Sequence, residues 1–271
     1  MKIKLIASDM DDTLLNNDRE ISPRNLAAIR QALAAGLVFT LATGRMYRSI
    51  QPFARQLQLD VPLIAYNGAL VKGALSEKVY VRRPLQLATA LAVLDYCRAK
   101  GYYVQAYVDD DLLVKEENAY SRMYSRIAGV PTTAVGDGVY QLAKAPHKLL
   151  LMTAAADFAA AWQDIETRFA GRLDVTSSKD NFLELMEPGV NKWVAVKELA
   201  AGFGIKPEEI MCIGDSNNDL TMIANAGLGV AVANAKPQVQ QAAKLITASN
   251  DNDGVALAIE NVLTQQAAVQ L

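Results

Sequence analysis

Residues 3–13 read IKLIASDMDDT, in which an apolar run from Ile3 to Ser8 is followed at once by carboxylates and a threonine. An apolar run of this length between polar residues predicts a buried β-strand. A helix follows, with Ser22 as its cap, Pro23 in its first turn and Gly36 at its end, and a second strand occupies Leu37 to Ala42. Strands that alternate with helices are typical of a parallel sheet, so we predict an α/β fold.

The alternation continues at both ends of the chain. The further predicted elements are a helix within 47–59, a strand at 63–66, a helix at 191–201, a strand at 210–213, a helix at 220–226, strands at 228–232 and 245–247, and a helix near 254–263. The middle differs, because eight of the ten tyrosines lie between Tyr80 and Tyr140 and a hairpin turn is predicted at Asp109 to Asp111. We therefore predict that roughly Arg83 to Glu187 forms an inserted second domain of mixed strands and helices.

The composition is that of an ordinary globular protein. The 271 residues include 27 Lys and Arg against 29 Asp and Glu, for a formal net charge of −2, and 51% are hydrophobic. Because the chain has no block of basic residues, we expect neither a nucleic acid nor a membrane surface as a partner. The longest uncharged run, Leu220 to Ala235, is shorter than the roughly 20 apolar residues that span a bilayer.

Two further observations concern the compartment. The apolar stretch before Asp9 is too short for the core of a signal peptide, so we expect a cytoplasmic protein. Cys97 and Cys212 belong to no CxxC pair, which gives no support to a disulfide framework or to a cysteine-ligated zinc site. We expect both cysteines to be reduced, buried thiols.

Polar residues follow four of the predicted strands. These segments are Asp9 to Thr13, Thr43 to Arg45, Asn67-Gly68, and Gly214 to Asp219. In an open parallel sheet, ligands bind beyond the carboxyl ends of the strands, so we expect the four segments to meet there. Several carboxylates at one edge repel one another unless a cation compensates, and oxygen ligands suit a hard ion such as Mg²⁺. The sequence therefore predicts a magnesium site.

Other kinds of site are excluded or weakened by single residues. His147 is the only histidine, which excludes an HExxH zinc site and makes any Ser/His/Asp triad depend on that one residue, which we expect to be structural. Neither a GxxxxGK[ST] P-loop nor a GxGxxG dinucleotide turn occurs. The segments that begin at Asp9 and Asp215 imitate an EF-hand, but Leu14 and Leu220 occupy the position that requires glycine.

Carboxylates with Mg²⁺ carry out phosphoryl transfer. One carboxylate attacks phosphorus to form an aspartyl-phosphate, and a second one protonates the leaving oxygen and later activates water. Asp9 and Asp11, two residues apart, have a spacing that suits these roles. Thr43 and the amide of Gly44 can hold phosphate oxygens, and Lys192 can neutralise charge on the covalent intermediate.

Together these motifs resemble those of the haloacid dehalogenase (HAD) superfamily of phosphatases. The resemblance rests on Asp9-x-Asp11-x-Thr13, Thr43-Gly44-Arg45, Lys192 and Gly214-Asp215-x-x-Asn218-Asp219, in this order along the whole chain. The Tyr66 to Ala69 segment, the insertion and the Asp253 to Ala256 stretch are similar to the Cof-type branch, subfamily IIB. This resemblance implies a Rossmann-like, doubly wound core of residues 1–82 and 188–271 and an α/β cap domain of residues 83–187, which we call the cap.

The same resemblance implies a role for each matching residue. Asp9 is expected to be the nucleophile, and Asp11 the general acid and base. The expected metal ligands are Asp9, the backbone carbonyl of Asp11, and Asp215. Asp219 is expected either to contact these ligands or to bind the metal occasionally. The positions expected to hold the phosphate are Met10, Thr43, Gly44, Lys192 and Asn218.

The sequence departs from the family pattern at two positions. Asp12 stands where glycine is commonest and adds negative charge near the metal. Trp193 stands where a small residue usually follows the lysine, so that it either narrows the site or packs under the cap.

The resemblance implies a Mg²⁺-dependent phosphatase that hydrolyses small phosphorylated metabolites, with sugar phosphates as the expected class, and we expect a monomer or a weak homodimer. Two alternatives stay open. A phosphomutase uses the same aspartyl-phosphate chemistry, and a non-catalytic sensor binds phosphorylated metabolites without turning them over. The intact Asp11 argues against a sensor, since a binding module has no use for a general acid.

Overall fold

The computed structural model describes residues 2–268. Its strands are β1 Leu5–Ser8, β2 Val38–Leu41, β3 Pro62–Ala65, β4 Leu70–Gly73, β5 Val79–Arg82, β6 Tyr103–Val108, β7 Asp111–Val114, β8 Thr133–Ala134, β9 Lys148–Met152, β10 Asp174–Lys179, β11 Phe182–Met186, β12 Ile210–Gly214, β13 Leu228–Ala231 and β14 Leu245–Ile246. Its α-helices are α1 Pro23–Ala34, α2 Tyr47–Gln56, α3 Leu87–Lys100, α4 Ala119–Ala128, α5 Phe158–Arg168, α6 Lys192–Gly202, α7 Leu220–Asn225, α8 Pro237–Ala242 and α9 Gly254–Ala268.

Five parallel strands form the central sheet, in the order β14-β13-β12-β1-β2. All four residues of β1 are buried, as expected for a strand that is covered on both faces. Among the helices, α1 packs against α9, and α6 packs against α7 and β3. The predicted α/β class with a doubly wound parallel core is confirmed.

The direction of winding changes at β1. The chain runs from β1 to β2 on one side and later returns to β12 on the other side. Ser8 and Ile213 are register partners, so the segments that follow β1 and β12 leave the sheet side by side. Open α/β sheets bind ligands in the crevice at such a switch point.

The predicted strand at 63–66 corresponds to β3, which lies beside the central sheet but pairs mainly with β4. One parallel bridge, between Ala42 and Ile64, connects it to the end of β2, whereas β3, β4 and β5 form an antiparallel sheet of their own. The sequence prediction lacks β4, β5 and α8, because four to six residues are too few for a clear hydrophobic period.

Six strands between residues 103 and 186 form a second sheet, the cap sheet, in the order β10-β11-β9-β6-β7-β8. Alternate side chains of its strands face opposite sides. Leu149 and Leu151 join an apolar cluster whose members all lie between residues 85 and 185, whereas Leu150 and Met152 join the cluster of the central sheet. One face of the cap sheet therefore looks toward the core. The domain bounds themselves stay a prediction.

The predicted hairpin turn at Asp109 to Asp111 is confirmed, and the carboxylate of Asp110 contacts the core. Asp109 and Asp110 join β6 to β7 and both have positive φ, as a type I′ turn requires. Asp110 accepts hydrogen bonds from the Tyr66 hydroxyl at 2.5 Å and from the Arg48 amide at 2.9 Å. This turn of the cap therefore contacts the core.

Within the part of the chain that the structure covers, none of the helices combines the length and the apolar character needed to cross a bilayer.

Candidate active site

The segments that follow β1 and β12 bring three carboxylates together. Asp9, Asp215 and Asp219 each offer an oxygen within 4.8 Å of the others, and all three residues are buried. This cluster lies at the switch point of the central sheet, where the sequence predicted a metal site. Its members come from positions up to 210 apart in the chain.

Lys192 is the cation of this cluster. Asn191 caps α6 by accepting from the Val194 amide, which places Lys192 in the first turn of that helix. Its ammonium group donates to Asp9 Oδ1 at 2.6 Å and to Asp219 Oδ1 at 2.7 Å, and the residue is fully buried. Burial would lower the pKa of Lys192, but the charges of the two carboxylates raise it above the ordinary value, so the side chain is an ammonium ion.

Asp219 mainly holds the loop in place. Its Oδ2 accepts hydrogen bonds from the amides of Asp215 and Ser216, each at 3.0 Å, while its Oδ1 is bound to Lys192. Both oxygens therefore already have partners. Of the predicted metal ligands, Asp219 is the one whose contacts best suit an indirect role.

Asp215 is oriented by two hydroxyl groups. Thr13 donates to its Oδ1 at 2.8 Å and Ser216 donates to its Oδ2 at 2.6 Å. Burial and the charge of Asp219 raise the pKa of Asp215 to about 7. Burial and the same charge also raise the pKa of Asp9 well above its usual value, against the effect of Lys192.

These residues fit a divalent cation. Three buried carboxylates face a single ammonium group, and the pKa values of Asp9 and Asp215 are raised first by burial and then by the negative charge of Asp219. A hard ion with oxygen ligands offsets this negative charge and favours the ionised carboxylates. The donor set is therefore the one that Mg²⁺ prefers.

Asp11 lines the same cavity as Asp9, and Arg45 holds its carboxylate. The guanidinium group donates from Nε to Asp11 Oδ2 at 2.7 Å and from Nη2 to Asp11 Oδ1 at 2.6 Å. Burial would raise the pKa of Asp11, but this bidentate contact and the Arg45 charge lower it below the ordinary value. Asp11 is therefore ionised in this arrangement.

The backbone at Asp12 adopts a conformation that suits glycine. Its φ is 58°, in the left-handed region that favours glycine but that aspartate tolerates. Its carboxylate lies 3.0 Å from the ammonium group of Lys179 in the cap. The added negative charge is therefore paired with the cap.

The expected phosphate-binding residues border one cavity, with two exceptions. Thr43, Gly44 and Asn218 line it together with Asp9 and Asp11. Lys192 does not line the cavity but contacts Asp9, which does. The Met10 side chain is buried in the core, so only the main chain of Met10 can serve a ligand.

Two residues singled out in the sequence lie outside the cavity lining. Trp193 is half-buried and packs against the central apolar cluster, and the structure thus favours the packing interpretation. His147 is buried and its ring stacks on that of Tyr66, with centroids 4.7 Å apart. Both are packing residues in this fold.

The cap side of the cavity is formed by residues that were not predicted from the sequence. An apolar part is formed by Tyr124, Ile127 and Phe182, and a polar part by Lys148, Ser178, Lys179 and Glu184. Lys148 is the first residue of the otherwise apolar strand KLLLM, and Glu184 lies inside the otherwise apolar strand FLELM. A charged residue at the start of an apolar run or within one is a signal that could have identified both.

The sequence matches a family model described as haloacid dehalogenase-like hydrolase over residues 6–259. It is 30% identical to the 5-amino-6-(5-phospho-D-ribitylamino)uracil phosphatase of Bacillus subtilis, in an alignment that covers 98% of this chain and 100% of the relative. It is also 30% identical to the HMP-PP phosphatase of Serratia proteamaculans, over 88% of this chain and 86% of the relative.

Solved structures of haloacid dehalogenase-like hydrolases are also similar to this chain. A haloacid dehalogenase-like hydrolase from Bacteroides thetaiotaomicron superposes with a TM-score of 0.86 at 29% identity, covering 96% of this chain and 100% of the other. A protein from Thermotoga maritima superposes with a TM-score of 0.82 at 30% identity, covering 96% and 97%. The chain therefore belongs to the haloacid dehalogenase-like hydrolases, in their branch of phosphoric monoester hydrolases, as its motifs predicted.

Proposed function

We propose that this hydrolase is a Mg²⁺-dependent phosphatase that acts on small phosphorylated metabolites through an aspartyl-phosphate on Asp9. The observation that carries the proposal is the buried cluster in which the Asp9 carboxylate touches Lys192 and lies beside Asp215 and Asp219. A buried carboxylate at the floor of a cavity, next to a fixed ammonium group, suits attack on an electron-poor phosphorus.

The chain's own residues supply the acid, the base and the charge. An Asp9 oxygen forms the new bond to phosphorus while the bond to the leaving oxygen breaks, and Asp11 gives that oxygen its proton. Lys192 stabilises the negative charge on the transferred group. Mg²⁺, held by Asp9, Asp215 and the backbone carbonyl of Asp11, supplies positive charge to the phosphoryl oxygens when it is bound.

The second half of the reaction uses Asp11 as a base. Water attacks the phosphorus of the aspartyl-phosphate, Asp11 takes a proton from that water, and the bond between phosphorus and the Asp9 oxygen breaks. The pairing with Arg45, which keeps Asp11 ionised, suits this step. The first step requires the protonated form of Asp11. The Asp11 carboxyl group must therefore leave Arg45 and contact the substrate within each catalytic cycle.

The cap side of the cavity supports a small polar leaving group. Tyr124 and Phe182 offer ring faces, and Ser178, Lys179 and Glu184 offer polar groups. Sugar rings and polyol chains present both an apolar face and hydroxyl groups, and the relative from Bacillus subtilis is named for a substrate with a phosphorylated ribityl chain. We therefore place sugar phosphates and phosphorylated polyols first among the substrates.

The test is phosphate release from a panel of phosphorylated sugars, polyols, nucleotides and cofactor precursors, with and without Mg²⁺, by the parent protein and by Asp9→Asn. We expect metal-dependent release that Asp9→Asn abolishes while its melting temperature stays close to that of the parent. Substantial release by Asp9→Asn would overturn the mechanism.

The same panel distinguishes the alternatives. A phosphomutase would need a bisphosphate activator and would return the phosphoryl group to a sugar. A sensor would be stabilised by the compounds without releasing phosphate from any of them. The cytoplasmic location and the monomeric or weakly dimeric state remain predictions from the sequence.

A further inference from the structure

Two charged residues of the cap sheet are buried above the proposed phosphate site. Lys148 is 1% exposed and Glu184 is 2% exposed. Glu184 pairs with Leu150 across the β9–β11 ladder, so Lys148, two residues along, is its diagonal neighbour on the same face. That face looks toward the core. The chemical steps proposed above use neither residue, although Glu184 also borders the part of the cavity assigned to the leaving group.

Lys148 fixes a peptide of the core loop. Its ammonium group donates to the Gly44 carbonyl at 2.6 Å and to Glu184 Oε2 at 3.1 Å. The same peptide carries the Arg45 N–H, which donates to Thr43 Oγ1 at 3.2 Å. Because the Thr43 oxygen accepts that bond, its own hydrogen is left to donate to a phosphate oxygen.

Glu184 orients the side-chain amides of Asn67 and Asn218 through a chain of hydrogen bonds. Its carboxylate can only accept, and it accepts from Asn67 Nδ2, from Lys148 and, at 2.6 Å, from the Ser178 hydroxyl. The Asn67 amide must therefore turn its Nδ2 toward Glu184 and its Oδ1 the other way. That Oδ1 accepts from Asn218 Nδ2 at 3.1 Å, which orients the Asn218 amide in turn.

The close approach of the core loop to this pair is also visible at Gly44. A Cβ atom at this position would lie 3.0 Å from Asn67 Oδ1 and 3.1 Å from Glu184 Oε2. Both distances are tighter than ordinary van der Waals contact. The loop, Asn67 and the cap carboxylate are thus packed as one unit.

We infer that Lys148 and Glu184 are positioning residues that orient Thr43 and Asn218 for phosphate, so that the phosphate site is complete only when the cap sheet lies on the core. The inference rests on the proposed function, because it takes Thr43 and Asn218 as phosphate-binding groups. The cap then has a role in phosphate affinity as well as in choosing the leaving group.

The test measures the affinity of the full-length protein for inorganic phosphate by calorimetry in the presence of Mg²⁺. The main variant is Lys148→Met/Glu184→Gln, which removes both charges and so leaves no unpaired buried ion. The control is Lys115→Met/Asp137→Asn, which removes an exposed ion pair of the cap. Melting temperatures show that each variant is folded.

We expect the main variant to bind phosphate roughly 10-fold to 100-fold more weakly than the parent, the effect of losing oriented hydrogen bonds to a charged ligand. Glu184→Asp, which keeps the acceptor, should retain more affinity than Glu184→Gln. The KM for a phosphomonoester with a simple leaving group, p-nitrophenyl phosphate, should rise with the dissociation constant of phosphate.

Parental phosphate affinity in the folded main variant would overturn the inference and leave the proposed function in place. An equal loss of affinity in Lys115→Met/Asp137→Asn would overturn it as well, because the effect would then be unspecific to this pair. If the parent itself neither binds phosphate nor releases it from any substrate, the proposed function fails first and the inference fails with it.

Discussion

The hydroxyl group of Thr13 donates a 2.8 Å hydrogen bond to Oδ1 of Asp215, across 202 positions of sequence. Both groups are buried. The bond joins the loop after β1 to the loop after β12. It occupies one lone pair on Oδ1 of Asp215, which is a proposed metal ligand. Groups that hold a metal ligand in its orientation in this way contribute to metal affinity.

Replacing Thr13 with valine should weaken Mg²⁺ binding by about 10-fold to 100-fold, because the isosteric side chain leaves the Asp215 oxygen without its donor. Calorimetric titration with Mg²⁺ measures this directly. Thr13→Ser keeps the hydroxyl and serves as the matched control, with affinity close to the parent. Equal Mg²⁺ affinity in the parent and in Thr13→Val would show that the bond to Asp215 has no part in metal binding.

Mg²⁺ affinity should fall as the pH falls through about 7. Burial and the charge of Asp219 raise the pKa of Asp215 to about 7, so the metal-free carboxyl group is increasingly protonated below that value. The ion must then displace a proton, and each proton displaced weakens binding by up to about 10-fold per pH unit. Calorimetry in two buffers with different ionisation enthalpies counts the protons released. Affinity that is constant between about pH 8 and about pH 6 would contradict the raised pKa.

Much of the core could be predicted from the sequence because its signals are local. The apolar run before Asp9 predicts β1, and the Ser22 cap with Pro23 predicts a helix that the structure shows as Pro23–Ala34. The site residues after β1 and β12 are predictable for the same reason, since the carboxyl ends of parallel strands share one edge of a sheet.

The remaining features depend on contacts between distant residues. Nothing near Asp12 in the sequence shows that its carboxylate pairs with Lys179, and nothing near Gly44 shows that its carbonyl accepts from Lys148, 104 positions away. Arg45 belongs to a motif, but its bidentate contact with Asp11 follows from the path of the loop rather than from spacing. Tertiary packing decides these contacts.

Asp11→Asn should accumulate the covalent intermediate. The amide can neither protonate the leaving oxygen nor take a proton from water, and the loss of a general acid and base costs about 10²-fold to 10⁴-fold in rate. Intact-mass measurement of acid-quenched protein, with the best substrate of the panel, detects the phosphorylated form. Asp12→Asn is the matched control, because asparagine also tolerates its positive φ, and it should turn over without accumulation. Normal hydrolysis by Asp11→Asn would remove Asp11 from the acid and base roles.

Gly214→Ala should destabilise the protein and damage the site. A Cβ at this position would lie 2.5 Å from Asp219 Cγ, so Asp219 must move away from Lys192 and from the amides it holds. Overpacking of this kind costs about 1–3 kcal/mol of the free energy of unfolding. Gly202→Ala, at the end of α6 with open space around it, is the control and should be neutral or slightly stabilising. Denaturant unfolding compares the two, and a stability in Gly214→Ala equal to that of the control would contradict the close packing.

The pKa of His147, the single histidine, reports how deeply its ring is buried. Burial, reinforced by the charge of Arg82, lowers the pKa of His147 to about 4, whereas the unfolded chain titrates near 6.5. Between these values the unfolded state binds a proton that the folded state does not, so stability is lost as the pH falls from about 6.5 toward about 4. His147→Phe can keep the stacking on Tyr66, and phenylalanine does not titrate. The free energy of unfolding of this variant, relative to that of the parent, should therefore rise by about 3 kcal/mol as the pH falls from about 6.5 to about 4. The ring resonance of His147 in a proton NMR titration should be flat between about pH 8 and about pH 5.5, and a midpoint near 6.5 would show that the ring is in water.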